Sequence, residues 1–286
     1  MEDSRTGAGV AYDPAALDEI EKQYWRDIWR TALYDAVVEK RIDLARFGPV
    51  QAAIVSGEPE VPAVNFLLGA ATPGAVEGGH LADAIEWVDF HDVDYRVSVT
   101  PCLAGAGAAE DWLNRNGYER GEGWAKLVRD TSPPRFSEPE GIEVDELETD
   151  DECEILTFSE LMAESMGPPH WTMTSFFDLR DLEGWRCYRA IDDASGYLVA
   201  SAAIRIDEGV AEIGFATTPE ATGGGVGQVA LLHRVITDAA AGCHTLTAQT
   251  GPERPMASRC GLLRAGFEEA YVRPDWRLPS FVVAEP

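Results

Sequence analysis

The sequence predicts an α/β fold built on a mixed sheet and repeated as two tandem domains. Segments in which apolar and polar residues alternate, as in half-buried strands, are interleaved with segments of helical period throughout the 286 residues. The two halves of the chain also match each other at a fixed offset, which is typical of a duplicated domain.

The offset between the halves is 149 positions. It brings Phe66 onto Phe215 and residues 117–118, a glycine and an aromatic residue, onto residues 266–267, which are of the same two kinds. No gap is needed between Phe66 and residue 118, so a strand, a helix and a Gly-aromatic end coincide in one register. We therefore predict a tandem duplication.

A connector separates the two copies. Residues 131–141 contain three prolines and a glycine, a composition typical of an extended linker. The predicted domains are therefore 1–130 and 142–286, both of ordinary size.

In the first domain the patterns predict a long amphipathic helix followed by strands and helices in alternation. The helix spans 16–43 and could serve a homodimer contact. The predicted strands are 50–55, 63–68, 95–100 and 124–130, and the predicted helices are 80–90 and 108–116.

The second domain has clearer patterns. The predicted strands are 142–147, 185–191, 197–206, 210–218, 244–250 and 267–273, and the predicted helices are 151–166, 225–240 and 256–265. Turn residues 207–209 join the third and fourth of these strands in an antiparallel hairpin.

Charge and cysteine content limit the classes of partner. The formal net charge is −27, from 23 Lys and Arg against 50 Asp and Glu, which disfavours nucleic acid and anionic membranes as partners. No apolar run reaches the length of a membrane span, and the N-terminus does not resemble a signal peptide. Five scattered cysteines and five isolated histidines predict reduced thiols and no metal site. We expect a cytoplasmic protein.

A glycine-rich loop carries the chemistry that the sequence predicts. Gly223, Gly224, Gly225 and Gly227 follow a predicted strand and open a predicted helix. Such a loop directs backbone N–H groups at a pyrophosphate and needs no side-chain cation, which suits an acidic protein. The plainer alternative is a turn that binds nothing.

Two other phosphate motifs fit this loop less well. Residues 225–230 match the G-x-G-x-x-A dinucleotide fingerprint, but residues 219–224 separate them from the strand, which itself belongs to a hairpin. A P-loop would need Gly-Lys-Ser/Thr, which does not follow here.

The loop resembles the acetyl-CoA loop of the GCN5-related N-acetyltransferase (GNAT) superfamily, whose pattern is Q/R-x-x-G-x-G/A. Thr222, Gly225 and Gly227 occupy the pattern positions, and residues 258–267 resemble the late helix of that family, which ends in Gly-Phe. The resemblance implies tandem GNAT domains of which only the second is intact. It implies acetyl-CoA, or another acyl-CoA, as the cofactor and a small-molecule amine as the acceptor.

The resemblance also implies a set of coenzyme-binding residues. They lie on the strand end, the loop and the first turn of the helix: Phe215, Ala216, Thr217, Thr222, Gly223, Gly224, Gly225, Val226, Gly227 and Gln228. A backbone N–H near residues 215–217 would stabilise the oxyanion.

Glu212 is the candidate general base. Period-two alternation places it on the strand face opposite Ala211, Ile213 and Phe215, and in relatives a Glu in a similar context deprotonates the amine. A solvated strand carboxylate that makes a cross-strand pair is an equally weighted alternative. An ordered water is another.

Two residues depart from the family pattern. Leu262 stands where many relatives have a Tyr close to the thioester sulfur, and Thr222 replaces Arg or Gln. Tyr271, Ser258 or a water could substitute as the acid, and a thiolate can also leave unprotonated. The departures keep two alternatives open: a non-catalytic acyl-CoA-binding or scaffold protein, and an atypical reaction such as O-acylation or thioester hydrolysis.

Residues 166–177 are the candidate acceptor segment. By the resemblance, this region lines the acceptor pocket, with the side chains of His170, Trp171, Phe176 and Phe177. An apolar loop that covers the core is the alternative. In the first domain the equivalent of the glycine loop is 71–78, which lacks the glycine run and carries Glu77, so we expect no coenzyme there.

Overall fold

The computed structural model describes residues 10–32, 34–61, 64–134, 136–148, 151–166, 178–217, 225–251 and 256–279; within these ranges the side chains of 35, 163–166, 215–217 and 256–258 are not described. Among the described residues, no helix is both long and apolar enough to span a bilayer.

In the part of the first half that the structure describes there are four helices and five strands. They are α1 (Pro14–Arg30), α2 (Tyr34–Lys40), β1 (Ile42–Phe47), β2 (Val50–Val55), β3 (Phe66–Leu68), α3 (His80–Asp89), β4 (Arg96–Ser98), α4 (Ala106–Arg115) and β5 (Glu119–Arg129). The predicted helix 16–43 was wrong in its extent, because the chain leaves the helix after Arg30 and residues 42–47 form β1. The apolar side of α1 packs on the sheet through Leu17, Ile20 and Tyr24.

The second half follows the predicted order closely. Its elements are β6 (Ile142–Glu146), α5 (Glu152–Met166), β7 (Trp185–Asp192), β8 (Leu198–Asp207), β9 (Val210–Thr217), α6 (Val226–Ala239), β10 (Thr245–Thr250), α7 (Met256–Arg264) and β11 (Glu268–Arg277). The predicted mixed α/β fold is confirmed.

The eleven strands of the described residues form one sheet, in the order β1-β2-β3-β4-β11-β5-β10-β9-β8-β7-β6. The last strand of each half lies beside the other half. β11 pairs with β4 of the first half, and β5 pairs with β10 of the second, while β5 and β11 pair with each other at the centre. The division of the chain at 131–141 stays a prediction.

The offset of 149 positions reappears in the strand register. β2 pairs with β3 so that Gln51 faces Leu68, and β8 pairs with β9 so that Ala200 faces Thr217. Each of these residues is 149 positions from its counterpart. The same hydrogen-bonded frame has therefore been built twice.

Helices cover both faces of the sheet. α3, α4, α6 and α7 lie on one face, where their apolar side chains meet the sheet. α1 and α5 lie on the other. The cluster under α1 and α5 joins Phe66 of the first half to Ala203 of the second, so the two halves share one hydrophobic core on this face.

Candidate active site

The parallel strands β9 and β10 separate partway along their length. They pair from Val210 with Thr245 to Ile213 with Ala248. Beyond that point, within the described residues, 214–217 pair only with β8, and 249–250 pair only with β5. A wedge-shaped opening in the sheet results, with backbone on both sides.

The wedge exposes backbone groups of β9. Along a strand, successive N–H and C=O groups point to alternate sides, so a residue paired on one side only leaves polar groups free on the other. Residues 214–217 are paired with β8 alone. The predicted coenzyme contacts Phe215, Ala216 and Thr217 therefore lie on the open edge, where their backbone can bind an extended ligand.

Helix α6 begins next to this edge of the sheet. Gly225, its N-cap, has a φ of 83°, and a β carbon there would meet nothing within 4 Å. Because its N-cap is a glycine, no N-cap side chain binds the first turn, and among the described residues the first hydrogen bond of the helix runs from Val229 N to Gly225 O. The N–H groups of the first turn, at Val226 and Gly227, thus have no carbonyl within the helix to bind, which is the arrangement that favours an anion.

Two of the predicted loop residues also have packing roles. A β carbon at Gly227 would lie 3.0 Å from atoms of Ala200 and Val199, so this glycine lets α6 approach β8 closely. Gln228 is buried, and its side-chain amide lies against Gly261 of α7. Period and spacing did not distinguish these packing roles from ligand binding.

Several predicted site residues lie outside the described residues. They are Thr222, Gly223 and Gly224 of the loop and His170, Trp171, Phe176 and Phe177 of the acceptor segment. Their roles stay predictions.

The first half has no such opening at the equivalent place. Phe66 and Leu67, the counterparts of Phe215 and Ala216, pair with Arg96 and Val97 of β4. The parallel strands β3 and β4 are thus hydrogen-bonded at the residues of β3 that correspond to the unpaired part of β9.

The loop before α3 also differs from the loop before α6. Amides of 71–79 are used within the loop: Ala75 N binds Thr72 O at 3.0 Å and Gly78 N binds Gly74 O at 2.9 Å. The ring of His80 covers the loop, since a β carbon at Gly78 would lie 2.8 Å from it. Several loop amides that could bind a pyrophosphate therefore already have a partner.

Glu212 lies two residues before the wedge, in a buried cluster of charges. Ala211 and Ile213 pack on the α6 face, and Glu212 points to the α1 face, as the alternation predicted. Its Oε2 accepts a hydrogen bond of 2.6 Å from Lys126 Nζ, and its Oε1 one of 3.0 Å from Gln249 Nε2. The carboxylate does pair across strands, but it is 2% exposed rather than solvated.

The cluster continues beneath α1. Lys126 Nζ lies 3.2 Å from Glu21 Oε2, and Glu21 also binds Arg273. Burial alone would raise the pKa of Glu21, but Arg273 and Lys126 bring it down to about 2. Burial raises the pKa of Glu212, against the opposing effect of Lys126. Two acids and two bases therefore balance in a space that excludes water.

Tyr24 of α1 reaches the wedge from the same face. A β carbon at Gly214 would overlap its hydroxyl, so the phenol lies against the backbone where β9 begins to separate from β10. The hydroxyl is buried and has no hydrogen-bond partner among the described residues. Burial, and next the charge of Glu212, raise the pKa of Tyr24, which keeps its hydroxyl protonated and able to donate a hydrogen bond. Tyr24 falls within the predicted amphipathic helix 16–43, and no sequence pattern marked it as a site residue.

The acid suggested by the family pattern has no equivalent side chain here. Leu262 is fully buried in the core between the sheet and α6. Tyr271 belongs to the same apolar cluster as Leu17 and Val210, and it lies on β11, three strands from β9 in the sheet, or ~14 Å at the usual strand spacing. The side chain of Ser258 is not among those that the structure describes. Tyr24 is thus the phenol that this fold brings to the opening.

Comparison with known protein structures identifies the fold. No family model and no curated protein sequence matches the chain. A GCN5-related N-acetyltransferase from Kribbella flavida superposes with a TM-score of 0.58 at 16% identity, covering 91% of this chain and 97% of that one. A tandem GNAT protein from the clavulanic acid biosynthesis pathway, in a structure without AcCoA, gives 0.56 at 17%, covering 79% and 77%. A GCN5-related N-acetyltransferase from Sphaerobacter thermophilus gives 0.54 at 17%, covering 80% and 75%. The chain has the GNAT fold in its tandem arrangement.

Proposed function

We propose that this chain, with its tandem GNAT fold, is an acyl-CoA-dependent N-acyltransferase whose second half binds the coenzyme and acts on a small-molecule amine. The observation that carries the proposal is the wedge between β9 and β10, beside which α6 begins at a glycine N-cap. In the first half the equivalent strands are joined and several loop amides already have partners, which supports the second half as the binding site.

The binding mode follows from the free backbone groups. The open edge of 214–217 would pair with the amides of an extended pantetheine arm, as a further strand would. The first turn of α6 would hold the pyrophosphate through N–H groups and the helix dipole. Neither contact needs a cation, so the proposal is compatible with a net charge of −27. We keep the cytoplasm as the proposed compartment, because five unpaired cysteines are typical of a reducing one.

The reaction is tested by release of free thiol from acetyl-CoA. We expect release that depends on an added amine, measured with a chromogenic thiol reagent over a panel of primary amines. Release in the absence of any amine would indicate thioester hydrolysis instead. Binding of acetyl-CoA with no release over the whole panel would contradict the proposed transfer.

Binding without transfer is the second candidate function, and two observations favour it. Leu262 offers no proton to a leaving thiolate, and both carboxylate oxygens of Glu212 are already bound. In that case the chain would hold an acyl-CoA without consuming it. The thiol assay separates the two candidates.

Glu212 is the proposed general base. The bond that occupies its Oε1 comes from the neutral amide of Gln249, and an amine N–H could replace it, while Lys126 holds the other oxygen. Burial raises the pKa of Glu212 above its ordinary 4.5. Below that raised pKa the carboxyl group carries a proton and cannot accept one from the amine.

We therefore expect kcat/KM to fall as the pH is lowered through the raised pKa of Glu212. Glu212→Gln should lower kcat/KM at pH 7 by about 10²–10⁴-fold and abolish that acid limb. Glu21→Gln is the matched control, because it removes a carboxylate from the same cluster without changing β9. Equal losses in both variants, with the acid limb retained, would assign Glu212 a structural role.

Tyr24 is the proposed hydrogen-bond donor to the ligand in the wedge. Its hydroxyl is buried without a partner, so removing it should leave the free energy of unfolding unchanged or raise it by up to about 1 kcal/mol. If the hydroxyl binds the acyl-CoA, Tyr24→Phe should nevertheless lower kcat/KM for acetyl-CoA about tenfold. Thermal unfolding and steady-state kinetics measure the two effects.

Tyr271→Phe is the control for Tyr24→Phe. The Tyr271 hydroxyl is also buried without a partner among the described residues, but Tyr271 lies on β11, three strands from β9. We expect a similar change in stability and no change in kcat/KM. Full activity in Tyr24→Phe would remove Tyr24 from the site.

A further inference from the structure

A cavity of about 320 Å³ lies in the first half, between α1 and the β1–β2 hairpin. Four basic side chains line it: Lys22, Arg26, Arg30 and Arg46. Leu44 and Pro49 contribute an apolar wall, and among the described residues Glu19 is the acid that lines it. Strands β3, β4, β11 and β5 separate β2 from the wedge, so this is a different place in the fold.

The charge of this cavity opposes that of the chain. Acids outnumber Lys and Arg by 50 to 23 in the sequence, yet among the described residues that line this cavity four are bases and one is an acid. Two further acids, Asp18 and Asp27, pair with Lys22 and Arg26. Lys22, Arg26 and Arg30 are spaced by four residues and so follow one side of α1, while Arg46 comes from β1. Like charges on one side of a helix repel each other, so the arrangement lowers stability unless an anion offsets it.

The partners of these cations leave much of their hydrogen-bonding capacity unused. Lys22 is paired with Glu19 at 2.7 Å and with Asp18 at 3.5 Å. Arg26 has one contact of 3.4 Å with Asp27, whose other oxygen binds Trp185 and Arg205. Arg46 donates its Nε to Gly48 O at 2.9 Å, which orients the guanidinium, and Arg30 has no ion pair among the described residues.

The helix dipole accounts for only part of this arrangement. Arg30 is in the last turn of α1, where a cation is favoured. Lys22 and Arg26 precede that turn and gain little from it, and Arg46 is on a strand. A ligand for the cations explains all four together.

We propose that this cavity binds a small organic anion, a carboxylate or a phosphate monoester with an apolar body. Guanidinium groups bind such anions through two parallel hydrogen bonds, and Arg30 and Arg46 are exposed and able to do so. Leu44 and Pro49 would contact the apolar body. The volume suits a small molecule.

The test is calorimetric titration of the whole chain with phenyl phosphate and benzoate, and with neutral benzamide for comparison. We expect binding of at least one anion and none of benzamide. The double variant Arg30→Gln/Arg46→Gln should lose affinity at least tenfold. Arg120→Gln/Arg264→Gln, which removes one exposed strand arginine and one last-turn arginine elsewhere, should bind as the unmodified chain does.

Two further measurements complete the test. Gly225→Glu, which alters the proposed coenzyme site, should leave phenyl phosphate binding unchanged, so this site can fail or succeed independently of the acyltransferase. Without ligand, Arg30→Gln/Arg46→Gln should melt at or above the temperature of the unmodified chain. Equal affinity in the two double variants, no binding of either anion, or a melting temperature lowered by several degrees would overturn the proposal.

Discussion

Replacing Lys126 with methionine should lower the free energy of unfolding by about 3–5 kcal/mol. The ammonium group lies between Glu21 and Glu212, both of which are 2% exposed. Methionine keeps most of the volume but leaves two buried carboxylates with only Arg273 to balance them. Urea unfolding at pH 7, with an unchanged m-value, measures the loss.

Lys40→Met is the matched control, since Lys40 pairs with Glu39 and Glu58 at the surface, where such pairs contribute at most about 1 kcal/mol. The double variant Lys126→Met/Glu212→Gln removes one charge of each sign and should recover part of the loss. A loss no larger than that of Lys40→Met would mean that water reaches the cluster, which would contradict the burial described above.

Replacing Gly225 with glutamate should weaken acetyl-CoA binding by at least about 100-fold, or about 2.7 kcal/mol. The new carboxylate would stand at the N-cap of α6, where the proposal places the pyrophosphate, and two anions within a few ångströms repel strongly. Calorimetric titration with acetyl-CoA measures the change.

The structure offers close controls for this substitution. Gly79 is the N-cap of α3, has a φ of 76° and, like Gly225, has open space where a β carbon would lie. Gly79→Glu should therefore cost a similar amount of stability, about 1–2 kcal/mol for a left-handed backbone, and leave the affinity unchanged. Gly225→Ala shares the strain without the charge and should retain most of the binding. Loss of binding in Gly79→Glu alone would move the coenzyme site to the first half.

Much of the fold could be predicted from local patterns. In the second half, strands such as β8 and β9 lie within one or two residues of their predictions, because turn residues and alternation mark their ends. In the first half, β1 was not predicted. The helical pattern runs up to residues 42–47, and no turn residue separates it from them. The strands that pair with β5 and β11 could not be predicted from the sequence. Alternation indicates which face of a strand is buried, but it does not indicate which strand pairs with it.

The candidate site likewise has features that local sequence patterns predict and features that they do not. The face on which Glu212 lies follows from a period of two, which is a property of the strand alone. Its partner Lys126 belongs to the other half of the chain, and Tyr24 reaches Gly214 across 190 residues, so neither contact leaves a local signal. The glycines in the sequence predict the loop. They do not predict the packing of Gly227 on β8, because that packing depends on how α6 approaches the sheet.

The exchange of the last strands has a consequence for synthesis on the ribosome. β4 emerges early, yet the residue that pairs with Ser98 is Asp275, which is 177 residues further along the chain. Throughout that interval the nascent first half exposes an unsatisfied strand edge, which can be joined by a neighbouring polypeptide. The final strand closes both β4 and β5 at once. Translation that stops just before β11 would therefore release a molecule open at its centre and prone to associate with its copies.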